Sequence, residues 1–157
     1  MNDHVERLTL SLPPERWETV PPPEGTVFLT LHRGEFEFFR PTISVEVSEL
    51  LPGASPTDVA GVLLGKLRQM DADAQAQTDT SHPDRVLQRI RFTLHADGMP
   101  TLRLTQWQVI VLMPTDEPDV RLAMTIVMTA ESERIDQYAA DFQSFVGSAS
   151  VTQDQAS

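Results

Sequence analysis

Apolar and polar residues alternate in three segments of the first third of the chain, and each segment predicts a half-buried β-strand. These segments are residues 5–12, 26–31 and 42–47. Prolines interrupt the alternation after the first segment, and proline lacks the backbone N–H that a strand donates. Residues 13–25 are therefore predicted to form a loop, which Trp17 holds against the core.

Three phenylalanines, Phe36, Phe38 and Phe39, precede the alternating run at 42–47. In an extended chain Phe36 and Phe38 share one face, and Pro41 interrupts the hydrogen-bonded ladder behind them. We interpret this segment as an edge strand whose aromatic side chains enter the core. The alternative is an exposed aromatic patch, which would mark a binding site.

Two segments place apolar residues at helical spacing. The first begins at Ser55 with an N-cap serine, a proline at the first helical position and an acid in the first turn. The second begins within residues 129–132, and the small, polar residues 148–157 are predicted to be a disordered tail. The residues predicted to face the core are Val59, Val62, Leu63, Leu67 and Met70 in the first helix, and Ile135, Tyr138, Ala139, Phe142, Phe145 and Val146 in the second.

Three longer segments, residues 86–95, 101–113 and 120–129, predict a meander of two hairpins. The polar stretch 71–84 before it is predicted to be a mobile loop with room for one short strand. One face of the meander is predicted to carry Ile90, Phe92, Leu102, Leu104, Ile110, Leu112, Leu122, Met124, Ile126 and Met128. The other is predicted to carry Arg89, Arg91, Arg103, Trp107, Val109, Val111, Arg121, Ala123 and Val127.

Both faces of the meander would carry apolar side chains, so we expect the two helices to cover opposite faces. The predicted fold is α+β: a three-layer α/β/α sandwich with an antiparallel sheet of about six to seven strands flanked by two main helices. A chain of 157 residues fits one domain, which we assign to residues 1–147. There are no cysteines, which excludes disulfides and thiolate chemistry.

Several short segments resemble, in their order and spacing, sequences of the Mog/PsbP-like superfamily. Within it they resemble the actinobacterial LpqN/LpqT lipoprotein-related proteins. They are LSLPPERW at 10–17, FRPTISVEV at 39–47, TQWQV at 105–109, TAESERI at 129–135 and DFQSF at 141–145. The resemblance implies an antiparallel sheet between helices and a role in binding, since the superfamily supplies no catalytic motif. LpqN-like lipoproteins carry a signal peptide with a lipidated cysteine, and neither is found in this sequence. We therefore expect a cytoplasmic protein.

The formal net charge of −11 argues against binding to nucleic acid or to anionic lipid. No segment approaches the roughly 18 apolar residues of a membrane span, so membrane insertion is not expected. The candidates for catalysis or metal binding are His4, His32, His82 and His95. They form no helical pair of ligands, and no phosphate-binding or nucleophile motif accompanies them. The sequence thus predicts a protein that is not an enzyme and holds no cofactor or metal.

Alternation directs Arg89, Arg91 and Arg103 to one sheet face of an otherwise acidic chain, beside Trp107 and Val109. The arginine fork is suited to carboxylates and phosphates. The simpler interpretation is that the three arginines pair with acids on neighbouring strands or on the covering helix. The functional interpretation is a patch on which an anion or a partner docks.

The leading hypothesis is a non-enzymatic protein-binding module that acts through this partly apolar face. Its partner is unidentified and could be a second copy of the chain, giving a homodimer. The alternative is a carrier that holds a small apolar ligand between sheet and helix. In that case Phe36, Phe38 and Phe39, together with the six methionines, would supply adaptable pocket walls.

Overall fold

Seven strands and two α-helices make up the part of the chain that the computed structural model describes, residues 12–36, 38–113, 115–117 and 119–156. The strands are β1 (Trp17–Val20), β2 (Phe28–His32), β3 (Thr42–Glu49), β4 (Gln75–His82), β5 (Arg85–Leu94), β6 (Leu102–Met113) and β7 (Leu122–Glu131). The helices are α1 (Pro56–Met70) and α2 (Ala139–Ala156), and a 3₁₀ turn (Ile135–Tyr138) leads into α2.

The strands form one sheet in the order β1-β2-β3-β7-β6-β5-β4, and every neighbouring pair is antiparallel. The predicted meander is confirmed as β5, β6 and β7. The predicted α+β class with an antiparallel sheet is also confirmed. Strands β1 and β4 are the two edges of the sheet.

Both edge strands lie in segments that the sequence predicted to be loops, although the prediction for 71–84 allowed one short strand and β4 has eight residues. Trp17 is buried as predicted, but it opens strand β1 instead of pinning a loop. Strand β4 occupies the predicted mobile stretch, and its side chains are almost all exposed. Edge strands can be flanked by prolines or consist of polar residues, because one side of an edge strand faces water. Such strands carry little of the apolar alternation that identifies a strand in the sequence.

Two further predictions, a first strand and a disordered tail, concern the two ends of the chain. Of the predicted strand at 5–12, residues 5–11 lie outside the described part of the chain. At the other end α2 continues to Ala156, whereas the sequence predicted a disordered tail from Ser148. Ala149 is buried, and it continues the apolar spacing of Phe142 and Phe145 with a small side chain.

Helix α2 packs on the sheet face that carries Trp107, which we call the Trp107 face. Trp107 pairs with Arg89 on β5 and with Met128 on β7, so all three point to this face. Phe145 of α2 stacks on Phe28 of β2 with ring centroids 5.3 Å apart. The core cluster beneath α2 consists of Leu12, Trp17, Phe28, Ile43, Val45, Val109, Met124, Ile126, Met128, Ala130, Ile135, Tyr138, Phe142, Phe145 and Ala149.

The prediction for strand β7 was wrong, because its side chains are exchanged between the two faces. Val109 pairs with Ile126, which places Ile126 and its even-numbered neighbours on the Trp107 face. Ala123 instead packs on the opposite face, with Ile110 and Val86. Alternation shows which residues of one strand share a face, but only the pairing register relates one strand to the next.

The start of α1 is confirmed. Pro56 is the first helical residue, and the backbone N–H of Ser55 donates a hydrogen bond to Asp58 Oδ2 over 2.8 Å. The hydroxyl of Ser55 donates to the same oxygen over 3.2 Å. The carboxylate of Asp58 thereby caps the helix where its dipole is positive.

Helix α1 packs on the face opposite Trp107, where Ala60 and Leu67 are buried. The predicted inward positions of Val62 and Met70 were wrong, since their side chains are 58% and 55% exposed. The buried residues of α1 are Pro56, Ala60 and Leu67, which recur at helical spacing on one side of the helix. Val62 lies on another side and points towards solvent. The small side chain of Ala60 lets the helix approach the sheet along this line.

The prediction that Phe36 and Phe38 enter the core was also wrong. Their side chains are 47% and 38% exposed. The N–H of His32 donates to the carbonyl of Pro41 over 3.0 Å, which closes the β2–β3 hairpin and leaves both phenylalanines in its loop. Of the three phenylalanines, Phe39 is the one that is partly buried. It packs beneath α1 against a core cluster that includes Leu67, Ile90 and Phe92.

Candidate functional site

A groove lies on the Trp107 face where α2 leaves strands β4 and β5 uncovered. Two cavities occupy it, of about 750 and 570 Å³, and Arg89 and Trp107 line both. The larger cavity, the arginine cavity, also contains Arg91 and Arg103. The smaller cavity, the helix cavity, lies against α2 and has the apolar walls Leu87, Val109, Phe142 and Val146.

The predicted site residues Arg89, Arg91, Arg103 and Trp107 therefore meet in one place, and Val109 lies beside them. Cross-strand pairing explains this, because Arg89 is directly opposite Trp107 and the other two arginines sit on the same face. The guanidinium carbon of Arg89 is 5.6 Å from the centre of the Trp107 ring. That distance allows a cation–π interaction.

The arginines do not pair as the simpler interpretation required. Arg89, Arg91 and Arg103 are exposed, and in the described ranges none of them lies within 4.0 Å of a carboxylate oxygen. Exposed cations keep their hydration and their capacity to bind when no carboxylate of the described residues holds them. Their donors are available to an external acceptor.

Four acids share the arginine cavity: Asp71, Asp73, Glu133 and Asp136. Asp71 is held on the cavity wall, because its carboxylate accepts hydrogen bonds from the backbone N–H and the hydroxyl of Thr93 over 2.8 and 2.9 Å. These bonds, with a further one from the N–H of Asp73, lower the pKa of Asp71 below its ordinary value. The cavity is therefore mixed in charge.

Trp107 is partly buried between the two cavities. Its ring centre lies 6.0 Å from that of Phe142 on α2. Its indole Nε1 is buried and has no hydrogen-bond partner among the described residues. A buried N–H without an acceptor costs free energy of about 1–3 kcal/mol.

The phenylalanines proposed as a ligand site are not part of the groove. Phe36, Phe38 and Phe39 line neither cavity. Phe36 instead lies under Arg40, whose guanidinium carbon is 5.8 Å from the ring centre. The methionines divide as well, since Met124 and Met128 are buried in the core while Met70 and Met99 are exposed.

The described histidines are dispersed. His32 lies at the end of β2, His82 at the end of β4, and His95 beyond β5, where its Nδ1 is 3.0 Å from the hydroxyl of Thr101. No group of three or more His, Asp or Glu side chains able to hold a metal occurs in the described part of the chain. His4 lies outside it.

A polar anchor that the sequence did not predict joins β1 to α2 on the Trp107 face. Asp141 accepts hydrogen bonds from Arg16 Nε and Nη2, over 3.0 and 2.8 Å, and from Trp17 Nε1 over 2.8 Å. The bond from Arg16, and secondarily that from Trp17, holds the pKa of Asp141 below its ordinary value. Beside them, burial lowers the pKa of His32, whose ring packs edge-on against Trp17. This anchor fixes α2, which forms one wall of the groove.

Sequence reasoning also missed the apolar walls of the helix cavity. Leu87 lies two residues before Arg89 on β5, so its side chain shares the face of the arginines. The sequence did contain this signal. Phe142 and Val146 were predicted to face the core, and they also border the cavity. Their double role depends on where α2 crosses the sheet, which no local pattern encodes.

Comparisons with known proteins give a likeness of fold. No protein-family model matches the chain, and no match was found among curated proteins. The structure is similar to the crystal structure of LpqN of Mycobacterium tuberculosis, described as involved in cell envelope biogenesis, with a TM-score of 0.56 and 15% sequence identity. The similarity covers 85% of this chain and 78% of LpqN. It supports an LpqN-like fold.

No helix in the described residues is long and apolar enough to cross a membrane.

Proposed function

We propose that this protein is a non-enzymatic protein-binding module that engages its partner through the groove on the Trp107 face. The observation that carries the proposal is a row of exposed arginines, Arg89, Arg91 and Arg103, beside the half-buried ring of Trp107. None of the three pairs with a carboxylate of the described residues. Arginine and tryptophan are enriched among the residues that dominate binding energy at protein interfaces. Here they occur together on the part of the Trp107 face that borders the region left open by α2.

The composition of the groove supports a protein partner. The helix cavity offers apolar walls at Leu87, Val109 and Val146, while the arginines and acids of the neighbouring cavity form a charged rim. An apolar centre with a polar rim is the usual anatomy of a protein interface.

The first form of the proposal, a homodimer, is tested by native mass. Light scattering behind size exclusion is measured for the unmodified protein, for Leu87→Asp and for Val62→Asp. Leu87 and Val62 are both exposed apolar residues, at 38% and 58%, but only Leu87 lies in the groove. An acid at either position leaves the buried core unchanged.

A dimer that is lost in Leu87→Asp and kept in Val62→Asp supports self-association through the groove. A dimer that survives in both variants, and also in a folded Trp107→Asp variant, contradicts it. A monomer in every case eliminates the homodimer and leaves a foreign protein as the partner.

A second candidate function is a carrier of a small apolar ligand, favoured by the helix cavity of about 570 Å³ between the sheet and α2. Its volume lies within the range of ligand pockets. Titration with an uncharged apolar dye tests this function, with Val146→Trp as the blocking variant. Saturable binding that the variant abolishes supports a carrier, and unsaturated or unchanged binding contradicts it.

We also infer that the chain is a member of the Mog/PsbP-like superfamily, of the LpqN-like kind, with a three-layer α/β/α arrangement. The LpqN-like fold supports this inference, as does the packing of α1 and α2 against residues of opposite sheet faces. An experimental structure with both helices on one face of the sheet would contradict it.

A further inference from the structure

The exposed edge of β4 differs from the other edge of the sheet. Strand β1 is short, with four residues, and prolines flank it on both sides. Prolines and short length are common protections against pairing at an edge. Strand β4 has eight residues, and its first four, residues 75–78, contain no proline and no charge. Among the described strands β4 pairs with β5 alone, so its outer backbone groups have no strand partner.

The protection that β4 does have is confined to its far end. The pairing register with β5 shifts between Asp79 and His82, which marks an irregularity of the strand. Asp79 also folds back to accept a hydrogen bond from the N–H of Ser81 over 2.9 Å. Residues 75–78 pair regularly with β5 and form an uncharged template on which a further strand can pair.

Three arginines flank this template. A cavity of about 370 Å³, the edge cavity, is lined by Arg68, Gln75, Ala76, Gln77, Arg89 and Arg91. Arg68 comes from α1, where its Nε donates to the carbonyl of Ala74 over 3.3 Å. Arg89 and Arg91 come from β5, directly opposite Gln77 and Gln75. Cations therefore reach the edge from β5 and from the helix on the opposite face.

The edge cavity and the arginine cavity differ in the charge of the residues that line them. The arginine cavity has four acids among its lining residues, whereas the edge cavity has three arginines and no acid. The two cavities share Gln75, Arg89 and Arg91, but the acids lie on the side of the arginine cavity. In a chain of net charge −11, this local excess of positive charge indicates an acidic partner.

We propose that residues 75–78 of β4 accept an extended acidic segment of a partner protein as an added strand, and that Arg89 and Arg91 bind its carboxylates. This inference rests on the proposed function, and it names the partner's chemistry. The added strand supplies main-chain hydrogen bonds, which give affinity, and alternating side chains, which give specificity.

The distance between neighbouring strands and the alternation of side chains predict the residue pattern of the bound segment. An added strand lies about 10 Å from β5, two strand spacings away, which an arginine and a glutamate can span when they extend towards each other. Side chains at every second position point to Arg89 and Arg91 on the Trp107 face. The intervening positions point to the opposite face, towards Ala76 and the helix that carries Arg68. The expected segment therefore alternates acids with small or β-branched residues.

The test is fluorescence anisotropy with a labelled eight-residue peptide that alternates glutamate with threonine or valine. The controls are the same peptide with lysine for glutamate and two isomers that are N-methylated at alternate backbone positions. One isomer blocks the N–H groups on one edge of the peptide and the other blocks those on the opposite edge. We expect saturable binding of the acidic peptide, at least tenfold weaker binding of the lysine peptide, and loss of binding for only one isomer.

Two matched protein variants locate the site. Arg91→Gln removes a cation of the edge cavity and is expected to weaken binding about tenfold, as for the loss of one charge-assisted hydrogen bond. Arg103→Gln removes an exposed arginine that lines the arginine cavity and not the edge cavity, and it is expected to change affinity less than twofold. Light scattering at the assay concentration shows whether a second copy occupies the edge.

Four outcomes overturn the inference: no binding of the acidic peptide, equal binding of both N-methylated isomers, equal losses in both arginine variants, or a dimer that the peptide cannot dissociate. Equal binding of the isomers with a loss in Arg103→Gln would place the acidic partner in the groove. The proposed function would then stand without the added strand. No peptide binding, together with a dimer that Leu87→Asp dissociates, would likewise leave the proposed function intact.

Discussion

A buried network of glutamine side chains allows a quantitative test of the packing beneath α1. Gln88 and Gln108 are 5% and 2% exposed, and the Gln88 Nε2 donates to Gln108 Oε1 over 2.8 Å and to the carbonyl of Ala60 over 3.0 Å. The Nε2 of Gln108 donates in turn to Gln106 Oε1 over 2.8 Å. The network thus ties two neighbouring strands to the helix across the apolar core.

The perturbation is Gln108→Leu, which retains volume but removes the acceptor of one buried N–H of Gln88. A donor left unsatisfied in the interior costs about 1–3 kcal/mol. We expect the free energy of unfolding to fall by about that amount. Gln88→Leu leaves the Gln108 Oε1 without its donor and is expected to cost a similar amount. The double variant removes both partners, so its cost should be at least about 1 kcal/mol less than the sum of the two.

Urea denaturation followed by far-ultraviolet circular dichroism measures all four proteins. With a slope of about 2 kcal/mol per molar urea, each single variant should lower the midpoint by roughly 0.5–1.5 M. Gln77→Leu is the matched control, since Gln77 is exposed on β4 and the change should stay within about 0.5 kcal/mol. Additive losses within about 0.3 kcal/mol would refute the coupling, and so would single variants as stable as the unmodified protein.

Three other predictions concern α2 and the groove. Because the pKa of Asp141 is lowered in the folded protein, its bonds to Arg16 and Trp17 stabilise the fold above the ordinary carboxyl pKa. This stabilisation is lost as the pH falls through the lower pKa of the folded state. Asp141→Asn should therefore reduce the loss of thermal stability in acid, and an unchanged pH profile would contradict this. Phe145→Ala should cost about 3–5 kcal/mol in urea denaturation because the ring is fully buried, and a loss under 1 kcal/mol would show that α2 does not pack as described. Trp107→Phe removes the unpartnered Nε1 and should change the free energy of unfolding by less than about 1 kcal/mol, whereas a loss above about 3 kcal/mol would mean that Nε1 is hydrogen-bonded.

The candidate site could be predicted in part from local patterns. Alternation along β5 and β6 brought Arg89, Arg91 and Trp107 together, because both strands are long and pair with each other without a shift of register. The same alternation could not show that the arginines have no carboxylate partner among the described residues. It also could not show that Leu87 and Val146 border the same groove. Both facts depend on where α2 crosses the sheet.

The sequence by itself determined the strands of the meander, the capped start of α1 and the apolar stripe of α2. These features arise from residues within a few positions of one another, through alternation, N-capping and helical spacing. The tertiary structure alone decided the face of Ile126, the exposure of Phe36 and the open edge at β4. The physical reason is that pairing register, hairpin closure and edge position are relations between distant segments, and alternation within one segment fits either face equally well.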